Sequence, residues 1–119
     1  MRRTAIKPQS DKRRAQQKIR RELAVRLPQE TCWLNIDGFC TGWAECWHEL
    51  VGSGVGGSRT DNRNLCAACT ACNSSLENHR DRHARGWKVK TSDAKPGKDG
   101  LVPRVLSRYS LAYRMEEGL

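Results

Sequence analysis

Read for the spacing of its apolar side chains, the 119-residue chain changes period several times. From Asp11 to about Arg26 helix formers predominate, and Ala15, Ile19 and Leu23 recur at i, i+4. That spacing predicts a helix with one narrow apolar stripe among cations. Ser10 offers its N-cap, Pro8 disfavours helix at Lys7 before it, and Pro28 ends it. Between Cys32 and Cys40 the pair Asp37-Gly38 marks a tight turn. Trp43 to Val51 reads as a strand carrying Trp43, Trp47 and Val51, and it runs into a loop containing Gly52, Gly54, Gly56 and Gly57. Asn62 to Ala68 predicts a second strand, and a helix follows from about Asn73 to His83 or Arg85, stopped by Gly86.

Beyond Gly86, Trp87 to Lys90 reads as another strand and Ser92 to Gly100 as a loop. Val102, Arg104 and Leu106, then Tyr109, Leu111 and Tyr113, alternate with their neighbours as a hairpin would. The expected fold class is α+β: a small ββα unit at 29–86, preceded by a basic helix at 1–28 and followed by a strand and hairpin packing extension at 87–119.

Composition adds a constraint. With 37% apolar residues, one domain of this size buries a thin core and needs a staple. Six cysteines supply candidates, and with no signal peptide ahead of them the better reading is a metal clip in a reducing cytoplasm rather than disulfides. No apolar run approaches the roughly 18 residues that cross a bilayer. A soluble protein with no membrane partner is expected.

The net charge of +9 is unevenly placed. The first 26 residues hold ten Lys or Arg against Asp11 and Glu22, and the remainder is near neutral. Such an arm fits a polyanion, and nucleic acid bound through counterion release is the usual one. Arg2, Arg3, Lys12, Arg13, Arg14, Lys18, Arg20 and Arg21 are the candidate contacts with DNA. The arm lacks the Trp, Phe and Leu face that an interfacial membrane helix needs.

The sulfurs are the strongest chemical signal. A two-residue spacer lets Cys69 and Cys72 point at one ion, with thiolates at about 2.3 Å from zinc. Cys32, Cys40 and Cys46 compete for the two remaining places. The turn at Asp37-Gly38 favours Cys32 and Cys40, leaving Cys46 and Cys66 as ordinary buried thiols.

His48-Glu49-Leu50-Val51, a glycine loop ending Gly56-Gly57-Ser58, Thr60-Asp61-x-x-Asn64, and Cys69-x-x-Cys72-Asn73 together resemble the HNH endonuclease motif. The variety is that of small tailed-phage proteins with a four-cysteine zinc site. The resemblance implies a ββα-metal fold and hydrolysis of DNA phosphodiester bonds with Mg²⁺, Mn²⁺ or a similar ion beside a structural Zn²⁺. It also implies work in the host cytoplasm beside phage packaging proteins.

In the preferred register, set by the eight residues from His48 to Gly56, His48 stands in the metal-ligand place and Glu49 in the place of the general base. In the other, one residue away, His48 is the base and Trp47 falls in the ligand place. Asn64 matches the asparagine whose amide holds the long loop, and Asn73 matches a ligand of the catalytic ion. The last ligand is Glu77, on the same helical face as Asn73, or His79 two residues on. A zinc-stabilised DNA-binding or adaptor protein without turnover is the alternative from a different class.

Overall fold

The computed structural model describes residues 10–119. Helix α1 spans Asp11–Arg26, with the Ser10 hydroxyl accepting from the Arg13 amide as its N-cap. Pro28 lies in a 3₁₀ turn, Leu27–Gln29, that ends the helix. Leu23 is buried, Ile19 packs against the core, and Ala15 is exposed, so the apolar stripe docks only the C-terminal half. Trp47 Nε1 fixes that half by donating to the Leu23 carbonyl at 2.9 Å. Full burial of one leucine stabilises by about 1.5–3 kcal/mol.

Strands β1 (Cys46–Glu49) and β2 (Leu65–Ala68) pair antiparallel, with His48 opposite Cys66 and Glu49 opposite Leu65. Both are shorter than the hydrophobic pattern implies. Trp43 makes only an isolated bridge to Thr31 and leaves its side chain 64% exposed, and residues 62–64 form a 3₁₀ turn ahead of β2. Helix α2 (Thr70–Ser75) passes into a 3₁₀ turn, Leu76–Asn78, so the expected helix to 83 or 85 is cut short. The backbone then makes short-range turns up to Gly86, whose φ of 77° is the left-handed conformation glycine tolerates.

Trp87 to Lys90 is not a strand, although it runs beside β1 and the Val89 amide donates to the Leu50 carbonyl at 2.8 Å. The C-terminal hairpin comes earlier than the alternation at 102–113 indicates. Strands β3 (Ala94–Gly97) and β4 (Gly100–Pro103) pair across Lys98-Asp99 within the segment expected to be a loop. The segment expected to be the second hairpin strand is helix α3 (Leu111–Glu117), capped by Ser110 at one end and by left-handed Gly118 at the other.

Among the described residues the fold is therefore α+β, with three α-helices and two two-stranded antiparallel sheets. One apolar cluster joins Leu23 of α1, the β1–β2 ribbon, Trp87 and Leu111 of α3, so the basic helix and the C-terminal extension share a core with the ribbon. No helix among these residues is long and apolar enough to cross a membrane.

Candidate functional site

Two turns bring the sulfurs together. The first is tightened by the Phe39 and Cys40 amides donating to the Ile36 carbonyl, with Gly38 and Gly42 at positive φ, and it presents Cys32 and Cys40. The second is the start of α2, where Cys69 is the N-cap and Cys72 lies one turn on. The four Sγ atoms of Cys32, Cys40, Cys69 and Cys72 all lie within 4.8 Å of one another. Sulfurs at ~2.3 Å around a tetrahedral zinc ion stand about 3.8 Å apart, so this donor set fits a closed structural site for a metal such as zinc.

Backbone amides pre-set the charge. Burial works against ionisation of Cys69, but amides of Thr41 and Cys72 donate to its sulfur at 3.5 and 3.3 Å and bring the thiol down to about 6. Burial pushes Cys40 and Cys72 up, and the neighbouring thiols add to it. Four thiolates share so small a space only when a cation compensates them. Cys46 and Cys66 lie outside the cluster on β1 and β2, both raised chiefly by burial.

A second constellation sits beside this clip. His48 is buried on β1, and its Nε2 contacts the Trp87 carbonyl at 2.6 Å. A carbonyl oxygen only accepts, so Nε2 carries the hydrogen and Nδ1 the lone pair. Burial lowers the pKa of this imidazole, against the hydrogen bond to Trp87, and Lys88 lowers it further. The amide of Asn73 and the carboxylate of Glu77 are close enough to act on the same ring in the opposite sense. Glu77 in turn meets the Lys88 ammonium at 3.5 Å.

Asn64 is fully buried and stitches the glycine loop shut. Its Oδ1 accepts from the Val51 amide at 2.8 Å, and its Nδ2 donates to the carbonyls of Val51 and Ser58 at 3.0 and 2.7 Å. The chain matches no protein family, no curated protein and no solved structure.

The structure thus sets Asn73 near the His48 ring and Glu77 within reach of its charge, with Asn64 at the base of the loop. It does not bring Glu49 there. Alternation along β1 turns Glu49 to the other face, where its carboxylate lies 3.8 Å from the Arg59 guanidinium. His79 is also elsewhere: its Nδ1 accepts from the Asp81 amide at 3.0 Å and its ring packs edge-on to Trp87.

Of the candidate DNA contacts, Arg2 and Arg3 lie outside the described residues. Lys12, Arg13, Arg14, Lys18 and Arg21 are exposed on α1, while Arg20 is half-buried and donates to the Arg59 carbonyl at 3.0 Å. Lys88 was missed in the sequence because a lone lysine has no spacing signal.

Proposed function

We propose that this chain is a metal-dependent DNA endonuclease of the HNH kind, hydrolysing phosphodiester bonds by nicking or by cutting both strands. The observation that carries this reading is the imidazole of His48, oriented by the Trp87 carbonyl, with Asn73 near it and the Glu77 charge within reach, beside a four-sulfur clip. With Nε2 occupied, Nδ1 of His48 is the atom that takes a proton from an attacking water, and burial keeps the ring neutral and ready to accept it.

Asn73 and Glu77 present the oxygen donors that a hard ion such as Mg²⁺ or Mn²⁺ prefers. When bound, that ion would offset the negative charge developing on the phosphoryl oxygens. Asn64 keeps β1 and the glycine loop in register, so the histidine does not drift. This assignment follows the second register in making His48 the base and leaves Glu49 without a catalytic part; Trp47, its indole committed to the Leu23 carbonyl, is no ligand, so the ion would rest on Asn73 and Glu77.

The test is nicking of supercoiled plasmid with added Mg²⁺ or Mn²⁺, alongside His48→Ala and Asn73→Ala proteins purified identically and checked for bound zinc. Loss of a general base lowers the rate about 10²- to 10⁴-fold. Equal nicking by all three proteins refutes the assignment. DNA retention without cleavage in any metal replaces it with the zinc-stabilised adaptor.

A further inference from the structure

The near-neutral balance beyond residue 26 conceals a local excess of charge. Between Arg80 and Lys90 the cations Arg80, Arg82, Arg85, Lys88 and Lys90 face a single acid, Asp81. Three of them, Arg82, Lys88 and Lys90, line an open cleft of about 520 Å³ together with Gly52 and Val55 of the glycine loop. A separate cleft of about 350 Å³ lies against α1, lined by Arg13, Arg20 and Arg59 with Ser53 and Gly57 of the same loop.

The two clefts share the loop and no lining residue, so the Gly52–Gly57 turn is a ridge with cations on either side. The ridge is nearly free of side chains, and Val55, 60% exposed, is its one large apolar group. Each cleft also holds one acid, Asp99 beside α1 and Glu77 opposite. Lys12 approaches the first at 3.9 Å and Lys88 the second at 3.5 Å.

We propose that duplex DNA straddles this ridge, with one strand's phosphates in the α1 cleft and the other strand's phosphates in the cleft formed by Arg82, Lys88 and Lys90. The inference rests on the DNA reading above and assigns it a second binding surface. A bare backbone ridge between two cationic troughs matches a groove bounded by two phosphate chains, whereas a single strand engages one trough. Arg82 is partly held by its bond to the His79 carbonyl at 3.0 Å, so the cations substituted are Lys90 and Lys88, the latter paired only with the exposed Glu77 carboxylate at 3.5 Å.

The experiment is fluorescence-anisotropy binding of a duplex and of a single strand of equal length, without Mg²⁺ or Mn²⁺, across a range of salt. The proteins are the unsubstituted chain, Lys88→Gln/Lys90→Gln, Arg13→Gln/Arg59→Gln, and an equal-charge control, Lys95→Gln/Arg108→Gln, which lines neither cleft. Zinc content and melting temperature verify folding. Both cleft variants should bind duplex about 5- to 30-fold more weakly near 0.15 M salt, with the log–log salt slope reduced by about 2, and the control should change little. A Lys88/Lys90 variant with unaltered duplex affinity and slope overturns the second cleft while leaving the α1 contacts standing. Single strands bound as tightly as duplex, with equal dependence on both clefts, overturn the two-strand arrangement. An unsubstituted chain that binds no duplex removes the DNA reading and this proposal together.

Discussion

Asn64 satisfies three buried backbone groups with one side chain: the Val51 amide, the Val51 carbonyl and the Ser58 carbonyl. Asn64→Ala leaves all three without partners, and a loss of about 3 kcal/mol is expected in urea denaturation of the zinc-loaded protein. Asn64→Asp keeps the acceptor for the Val51 amide but sets a buried carboxylate oxygen against the Val51 and Ser58 carbonyls, so it should cost at least as much as the alanine.

His48 makes a prediction about pH. Its folded pKa is lowered by burial first, so on acidification the unfolded chain takes up this proton near the ordinary value of 6.5 while the folded chain stays neutral. The unfolded state then binds more protons, and stability falls as pH drops below about 6.5. The slope from this residue is at most about 1.4 kcal/mol per pH unit. His48→Gln keeps a donor for the Trp87 carbonyl and abolishes that slope. The difference between the two denaturation series isolates the histidine, because loss of zinc at acid pH is common to both.

At the scale of elements, the glycine loop separates positions that need glycine from those that do not. A Cβ at Gly57 would fall 1.7 Å from the Val51 carbonyl oxygen, whereas one at Gly54 meets nothing within 4 Å. Gly57→Ala should therefore cost about 3 kcal/mol or more, and Gly54→Ala should be neutral to stabilising by about 0.4–1 kcal/mol, both measured by thermal melts.

The same contrast describes what could be read from the chain. The β1–β2 ribbon and the cysteine quartet were legible because local spacing encodes them: alternating apolar residues around a glycine loop, and Cys-x-x-Cys opposite a turn-closed pair. The C-terminal region is the less legible because a period-2 pattern in two five-residue runs, 102–106 and 109–113, competes with capping signals that carry more information. Ser110 caps α3 by accepting from the Tyr113 amide, Gly118 closes it, and Lys98-Asp99 forms the turn of the hairpin that precedes it. Glu49 and His48 read as an adjacent pair in the sequence, but neighbouring strand residues face opposite ways. The partners of His48 come from the Trp87–Lys88 segment, which no local pattern links to β1.

On the scale of the molecule, the clip joins Cys32 and Cys40 to Cys69 and Cys72, and the β1 strand, glycine loop and β2 strand all lie in the chain between its two halves. One zinc per chain is expected by atomic absorption. Cys72→Ser or chelation should remove it, with loss of near-UV circular dichroism and of the cooperative melt. Structural zinc sites in small domains contribute on the order of 10 kcal/mol, comparable to the whole stability of a domain this size. Because the segment carrying His48 is held inside that tie, the concentration of competent protein follows the free zinc of its surroundings. Starvation for the metal would act as a dimmer on any activity of the molecule, and the purity of a buffer becomes as decisive for an assay as its temperature.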